Sequence, residues 1–513
     1  MNTETPAEES LAELITSTGK PLNGAPLGAV LSAHAVLTPD NLALTINGGS
    51  WTFAELDGIA NRRARQLAEA FGVKDGDRVA IALSNGVEFV AATYAVWKLG
   101  ATPCPVSWRM AEREFGEVIA LIDPACVVGT PDLPATPYPL CDVREPAPAD
   151  MDSSPLPQRT IAPGKILNSG GSTGRPKLIV DPRPSTWGPD KEGRRLGPRI
   201  TFFNPGPLYH SAPFNYTCMS IAQGSQAVCM DRFDVDGWID MVEQSRPSFV
   251  YLVPTMMRRI AKHPRAQAGQ SDFSSIDNLS HMAAPCPPDI KRWWIDRLGC
   301  ERVLEIYGGT ERIGATVIDG CEWLEHPGSV GKAAAGYEIV ICGEDGQELP
   351  AGSVGEIYFR NAAGVGSGYD YIGAQGRVLG DLDSFGDMGW VDEEGYLFIA
   401  DRRTDMVTVG GSNVFPAEVE AVLESLPGVL CAAVIGLPDA DMGNRLHAIV
   451  ELDDTVAEPE DALAFLQPAI SQLGTLKRPS SAEFTRERIR DDAGKVRRSQ
   501  MREQCLAHME PRQ

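Results

Sequence analysis

Long apolar runs and an excess of positive charge are both missing from this chain of 513 residues. The longest apolar stretches, such as Phe89–Trp97, fall well short of the ~20 residues that a membrane-spanning helix needs. The 46 Lys and Arg residues stand against 69 Asp and Glu, which gives a net charge of −23. So acidic a chain binds nucleic acid and anionic membranes poorly. We therefore expect no nucleic-acid partner and no stable membrane insertion.

Cysteine patterns typical of metal and redox sites are missing too. The 11 cysteines include no CxxC pair, which argues against a zinc ribbon and a thioredoxin-type redox pair, and no HExxH motif occurs. The first ten residues are acidic and lack the basic and apolar regions of a signal peptide. These observations lead us to expect a cytoplasmic protein.

The composition that is present, 43% apolar and 22% charged, is that of an ordinary globular protein. The length allows more than one domain. Thr52 and Glu55 have the spacing of a capping box at the start of a helix. Strand-like runs at 78–83 and 101–106 follow, with a helical pattern between them. This alternation predicts a layered α/β fold.

Two changes of pattern divide the chain. Alternating β-type runs between 337 and 360 predict hairpins in a β-rich lobe. After a short charged link at 401–405, the remainder has its own α/β pattern. We predict a large N-terminal layered α/β part with the β-rich lobe, residues 1–402, and a smaller, mobile α+β C-terminal domain, residues 403–513.

The run SGGSTGRPK carries the strongest chemical signal. Three glycines, three hydroxyls and two cations converge within nine residues after an apolar, strand-like lead. Phosphate oxygens need such donors, because glycines let backbone N–H groups approach and the cations add charge. The run does not satisfy the Walker A pattern. The predicted phosphate-binding residues are Ser169, Gly170, Gly171, Ser172, Thr173, Gly174 and Lys177.

The same run contains G-x-S-x-G, the nucleophile elbow of α/β-hydrolases, centred on Ser172. An elbow needs a helix directly after the serine. Pro176 and the strand-like run at 178–181 argue against one. An α/β-hydrolase that uses Ser172 as its nucleophile is kept as a disfavoured alternative function.

The run SGGSTGRPK resembles the phosphate-binding signature of the adenylate-forming superfamily, which includes acyl-CoA synthetases, nonribosomal adenylation domains and luciferases. Seven further segments stand in that family's order, and the resemblance extends from about Trp51 to Arg502. These segments are Tyr209-His210, Ala283-Ala284-Pro285, Tyr307–Glu311, Gly386–Gly389, Asp401-Arg402, Gly410–Glu420 and Gly494-Lys495.

The resemblance implies a nucleotide site at Ala283, Ala284, Pro285, Tyr307, Gly308, Asp387 and Arg402. Tyr307 would stack on adenine, and Asp387 would accept from the ribose hydroxyls. Thr310 would donate to the α-phosphate. Glu311 would hold Mg²⁺, a hard cation that prefers carboxylate and phosphate oxygens. ATP and Mg²⁺ are therefore expected.

The family chemistry further implies a catalytic Lys495, whose ammonium group would bridge the attacking carboxylate and the phosphate. His210 would lie beside the acyl group. The acyl pocket would be formed at Gly309, Gly314 and Ala315. For Gly308 and Gly309 the alternative is a purely backbone role beside the nucleotide.

The resemblance implies two half-reactions. The implied function is that of an acyl-CoA ligase: a carboxylic acid and ATP give acyl-AMP and pyrophosphate, and the thiol of CoA then attacks acyl-AMP to give acyl-CoA and AMP. Between the half-reactions the C-terminal domain swings at about Thr404, placing Gly410 and Gly411 along the pantetheine of CoA. Basic residues near the C-terminus would hold the CoA phosphates. The expected substrate is a small-molecule carboxylic acid with a bulky or hydrophobic acyl group. We also expect the protein to form a homodimer.

Two other readings stay open. An enzyme that loads a carrier protein shares these motifs. Its amino-acid-activating form is disfavoured, because residues 211–216 contain no acid to pair with an ammonium group. A catalytically silent binding protein is disfavoured by the presence of Lys495, Glu311 and Asp387.

Overall fold

The computed structural model describes residues 7–170, 176–188, 200–403, 405–454, 456–491 and 494–509. The helices are α1 (Ala7–Ala12), α2 (Leu27–Leu37), α3 (Phe53–Phe71), α4 (Val87–Lys98), α5 (Glu112–Ile122), α6 (Ser211–Ala222), α7 (Val235–Ser245), α8 (Pro254–Lys262), α9 (Pro264–Gln267), α10 (Pro288–Leu298), α11 (Gly320–Glu325), α12 (Pro416–Glu424), α13 (Ala462–Ile470) and α14 (Arg498–Met509). Short 3-10 turns cover Cys300–Arg302 and Thr475–Lys477.

The strands of the first half are β1 (Leu42–Ile46), β2 (Gly49–Thr52), β3 (Arg78–Ile81), β4 (Thr102–Pro105), β5 (Cys126–Gly129), β6 (Leu140–Asp142), β7 (Lys165–Gly170), β8 (Pro176–Asp181), β9 (Thr201–Asn204), β10 (Gln226–Cys229), β11 (Phe249–Leu252) and β12 (Asn278–His281). Those of the second half are β13 (Val303–Gly308), β14 (Ala315–Asp319), β15 (Lys332–Ala333), β16 (Tyr337–Cys342), β17 (Gly355–Asn361), β18 (Asp370–Ile372), β19 (Arg377–Leu379), β20 (Leu382–Val391), β21 (Leu397–Arg402), β22 (Val407–Val409), β23 (Ser412–Val414), β24 (Val429–Asp439), β25 (Gly443–Leu452) and β26 (Ser481–Thr485).

The predicted capping box begins α3. Thr52 Oγ1 accepts from the Glu55 N–H at 3.2 Å, and the Thr52 N–H donates to Glu55 Oε2 at 2.8 Å. These bonds satisfy N–H groups that a helix start leaves without partners. The helix ends at Gly72, whose φ of +68° suits glycine. The pattern-based start of this helix is confirmed.

A large mixed sheet forms the centre of the N-terminal part. Its strand order is β15-β14-β13-β12-β11-β9-β10-β1-β2, and the pairs from β13 through β1 are parallel. A second, parallel sheet has the order β4-β3-β5-β6. Parallel strands buried between helices explain the nearly continuous apolar runs. The predicted layered α/β architecture is confirmed.

The β-rich lobe and the C-terminal part have cores of their own. The lobe is an antiparallel sheet, β16-β17-β20-β19 with β21 beside β20. The C-terminal part contains the sheet β24-β25-β26, the hairpin β22-β23, and two buried clusters that involve residues from Val407 onward. A separate core is what defines a domain. The boundary at 402/403 and the mobility of this domain stay predictions, and Thr404 lies outside the described residues.

One disulfide, Cys300–Cys321, joins the turn after α10 to the start of α11, with a Cα–Cα distance of 4.8 Å. The two cysteines are 21 residues apart in the sequence, so no local motif predicted that they would pair. Among the residues that the structure describes, no helix has both the length and the apolar character of a membrane crossing.

Candidate active site

Neighbouring parallel strands bring two predicted nucleotide segments together. Strands β12 and β13 are paired, with Leu279 opposite Val303 and His281 opposite Glu305. Ala283-Ala284-Pro285 follows the carboxyl end of β12, and Tyr307 and Gly308 end β13. Ligands of such sheets bind beyond the carboxyl ends of the strands. These segments therefore meet at the edge where a ligand is expected.

The backbone is strained at this edge. Ala283 has φ of +81°, a conformation that a residue with a side chain rarely adopts. Such strain persists only when the surrounding structure enforces it, and it is concentrated at functional sites. The strain supports a binding role for the segment that includes Ala284 and Pro285.

A hydrogen bond connects the sheet edge to the β-rich lobe. Tyr307 Oη donates to Asp387 Oδ2 at 2.7 Å, and Asp387 is buried. The rings of Phe359 and Phe385 lie 6.2 and 5.9 Å from the Tyr307 ring and fix its orientation. Asp387 pairs through the backbone with Arg402, between β20 and β21. The residues predicted to contact adenine and ribose are thus brought together.

A second cluster surrounds Glu311. Lys177 Nζ lies 3.3 Å from Glu311 Oε1, and Tyr371 Oη donates to the same oxygen at 2.6 Å. Lys177 Nζ also donates to Tyr371 Oη at 2.9 Å and lies 4.2 Å from the centre of its ring. Tyr371 was missed by the sequence analysis. No local pattern marks it, because only the pairing of β18 with β8 brings it beside Lys177.

The carboxylate of this cluster is held in its ionised form. Burial opposes ionisation of Glu311, but the Lys177 ammonium and the bond from Tyr371 outweigh it, so the pKa of Glu311 is lowered. Burial and the neighbouring Glu311 raise the pKa of Tyr371 well above its usual value, which keeps the phenol a donor. A partly buried, ionised carboxylate is a ligand that Mg²⁺ accepts. The residues present therefore fit the expected ion.

The predicted phosphate loop is described only at its two ends. Ser169 and Gly170 end β7, and β8 begins at Pro176, with Ser169 opposite Lys177 in an antiparallel pair. Gly171, Ser172, Thr173 and Gly174 lie outside the described residues. The element after the loop is a strand, whereas a nucleophile elbow requires a helix. This observation counts against the hydrolase alternative.

The glycines predicted to form the acyl pocket are closely packed. A Cβ atom at Gly309 would overlap Phe385, and one at Gly314 would overlap Phe359. A Cβ at Gly308 would lie 3.2 Å from the Gly314 carbonyl oxygen. Glycine here lets the turn approach the lobe, which supports the backbone role left open for Gly308 and Gly309 and extends it to Gly314. That Gly309, Gly314 and Ala315 also line the acyl site stays a prediction.

His210 and Thr310 occupy half-buried positions at element ends. His210 precedes the first turn of α6, and its ring centre lies 4.8 Å from that of the buried Tyr209. Thr310 lies in the turn between β13 and β14, next to Glu311. Both positions are compatible with the roles implied by the resemblance, which stay predictions.

The loop carrying Lys495 lies against the N-terminal part. Asp491 Oδ1 accepts from the Lys495 N–H at 2.9 Å. A Cβ at Gly494 would lie 3.7 Å from Thr255 Oγ1, at the start of α8. Gly410 and Gly411 instead form the exposed turn of the β22-β23 hairpin, with φ of +56° and +81°. Such a two-residue turn needs positive φ, which explains the glycines.

An ion pair crosses between the two parts of the chain. Arg258 Nη1 on α8 lies 2.7 Å from Glu424 Oε2 on α12, and both side chains are buried. Arg258 also donates to the Glu424 carbonyl oxygen. A cleft of about 370 Å³ opens beside this pair, and residues of both parts line it, including Tyr209, Thr255 and Asp491.

The fold and this site define a two-domain α/β protein with a nucleotide-type site at the carboxyl ends of its strands. The sequence model of the AMP-binding enzyme family matches residues 31–370, and that of the AMP-binding enzyme C-terminal domain matches residues 418–495. The chain belongs to this family.

Named relatives cover nearly the whole chain. Feruloyl-CoA synthase of Amycolatopsis sp is 31% identical, over 93% of this chain and 98% of its own. A fatty acid–[acyl-carrier-protein] ligase of Streptomyces coeruleorubidus is 30% identical, over 92% and 95%. The crystal structure of ATP-bound MatB from Rhodopseudomonas palustris matches with a TM-score of 0.78 at 26% identity, over 95% and 100%.

We predict that Gly314→Ala destabilises the protein by about 1–3 kcal/mol, because the new methyl group overpacks against Phe359. The measurement is the urea midpoint followed by tryptophan fluorescence. Gly116→Ala on α5 is the matched control, because a Cβ there meets nothing within 4 Å. An unchanged midpoint for Gly314→Ala would mean that the space is open, as a pocket at this glycine requires.

Proposed function

We propose that this protein is an ATP-dependent acyl-CoA ligase. It activates a carboxylic acid as acyl-AMP, releasing pyrophosphate, and transfers the acyl group to the thiol of CoA, releasing AMP. The proposal rests on two groups of side chains that meet at the end of β13. One is the hydrogen-bonded pair Tyr307–Asp387, and the other is the Glu311 carboxylate, which contacts Lys177 and Tyr371. Membership of the AMP-binding enzyme family supports the nucleotide chemistry.

In the first half-reaction, a carboxylate oxygen attacks the α-phosphorus and the bond to the β-phosphate breaks. Tyr307 and Asp387 bind the nucleoside, and Thr310 donates to the α-phosphate. Glu311 and the phosphates would hold Mg²⁺, which supplies neutralising charge. The Lys495 ammonium stabilises the charge that develops between the two anions. His210 borders the acyl group.

In the second half-reaction, the CoA sulfur attacks the acyl carbon, its proton is released, and the bond to AMP breaks. The C-terminal domain turns, so that Lys495 leaves and Gly410-Gly411 faces the pantetheine. The cleft between the domains carries the cationic residues Arg109, Arg232, Arg259, Lys262 and Arg488. Charge-assisted hydrogen bonds from such groups suit the phosphates of CoA.

The acid is proposed to be bulky or hydrophobic. Support comes from the feruloyl-CoA synthase relative, whose name contains an aromatic acyl group. The second candidate is an enzyme that loads a carrier protein, which the fatty acid–[acyl-carrier-protein] ligase relative favours. Both candidates share acyl-AMP formation and differ in the acceptor.

A panel of acids with ATP, Mg²⁺ and CoA, scored by mass spectrometry, tests the function. We expect acyl-CoA from aromatic or long apolar acids, with kcat/KM above that for acetate and propionate. Acyl-AMP without acyl-CoA would transfer the proposal to the carrier-protein candidate. Absence of acyl-AMP with every acid would contradict the proposed function.

Lys495→Ala is expected to lower the rate of acyl-AMP formation by about 100-fold, because an interaction aimed at developing charge is lost. Thioester formation from supplied acyl-AMP should stay unchanged. ATP–pyrophosphate exchange and single-turnover assays separate the two steps. Lys477→Ala is the control, since Lys477 is a partly exposed lysine of the same domain that pairs with Glu418 at 2.7 Å. Normal exchange in Lys495→Ala would refute the catalytic role.

Tyr371→Phe is expected to weaken Mg²⁺-dependent ATP binding by about tenfold, because Glu311 loses a charge-assisted hydrogen bond. Calorimetry with and without Mg²⁺ measures the effect, which should be confined to the Mg²⁺-containing titration. Tyr369→Phe is the matched control, because its hydroxyl bonds Asp383 at 3.3 Å instead. Equal losses in the two variants, or a loss without Mg²⁺, would indicate a merely structural Tyr371.

A further inference from the structure

Three metal-ligating side chains meet in the C-terminal domain, outside the proposed active site. They are His447 on β25, Glu483 on β26 and Cys505 on α14, and their ligand atoms all lie within 4.8 Å of one another. His447 Nε2 is 3.7 Å from Glu483 Oε1, and Cys505 Sγ is 3.7 Å from the same oxygen. The three groups come from three elements, so the tertiary fold alone brings them together.

The imidazole is oriented as a ligand. The His447 side chain is nine-tenths buried, and within the described part of the chain its Nε2 has no hydrogen-bond partner. Its Nδ1 lies 2.8 Å from Ser481 Oγ, and that oxygen accepts from Arg445 Nη1 at 3.0 Å. Metal-bound imidazoles are held in this way through the nitrogen that does not bind the metal. An unpartnered buried nitrogen costs free energy unless a ligand satisfies it.

The chemistry of the donors selects the ion. A thiol, an imidazole and a carboxylate together form a donor set typical of zinc. Magnesium and calcium prefer oxygen donors alone. Zinc lies about 2.0–2.3 Å from its ligands, so two tetrahedral ligand atoms are roughly 3.5 Å apart. Two of the three separations here, at 3.7 Å, are close to that value, and the third is within 4.8 Å.

We propose that His447, Glu483 and Cys505 bind a zinc-type divalent cation, with water as the fourth ligand on the exposed side. Coordination replaces the hydrogen of the Cys505 thiol, which is released as a proton. The bound ion would fix α14 to the sheet. Because α14 begins at Arg498, shortly after Lys495, the ion would also stabilise the chain that follows the proposed catalytic loop.

Thiol protection by zinc gives a direct test on the full-length, metal-stripped protein. Cys286 and Cys505 are the free cysteines that are not fully buried among the described residues. The Cys286→Ser variant removes the other accessible thiol. In this variant, zinc should slow the reaction of Cys505 with a disulfide reagent by at least about tenfold, because the thiolate is coordinated. Cobalt should produce a thiolate-to-metal absorption band that Cys505→Ser lacks. An unchanged thiol reactivity in the presence of zinc would overturn the proposal.

Further variants separate this site from zinc bound elsewhere. Ser481→Ala should weaken zinc binding by about tenfold, because the support of the imidazole is lost. Zinc should raise the Tm of the wild type and of Cys286→Ser but not that of Cys505→Ser or His447→Gln. Equal zinc affinity in Cys505→Ser and the wild type would place the ion at another site and refute the assignment.

Discussion

The interaction on which the active-site geometry depends is the contact of one carboxylate, that of Glu311, with Lys177 and Tyr371. It joins the turn after β13 to the end of the phosphate loop and to β18. These elements are far apart in the chain and share no other motif. Burial of this carboxylate would raise its pKa, but the Lys177 ammonium and the hydrogen bond from Tyr371 lower the pKa instead. A carboxylate held in its ionised state is available to a cation and to phosphates.

The close approach of the lobe to the large sheet is a second constraint. Gly309 and Gly314 leave no gap between the turn and the rings of Phe385 and Phe359. The same rings orient Tyr307, which bonds Asp387. Small residues in this turn therefore act through packing.

The buried Arg258–Glu424 pair is one of the contacts between the two parts of the chain. Burial makes such a pair costly unless both partners are present, so it favours one arrangement over alternatives. The proposed second half-reaction requires the C-terminal domain to turn, and this pair would then separate. The loop that carries Lys495 lies beside Thr255, and Thr255 is on the same helix, α8, as Arg258. Separation of the pair and withdrawal of Lys495 would therefore accompany each other.

The sequence alone determined the features that depend on local order. The capping box at Thr52 and the strand after the phosphate loop follow from residues only a few positions apart. The motif order also identified the family. Tyr371, the Cys300–Cys321 pair, the Arg258–Glu424 contact and the His447 cluster were decided by the tertiary structure. Their partners lie on different elements, and strand pairing and domain packing, which act over long sequence separations, place them together.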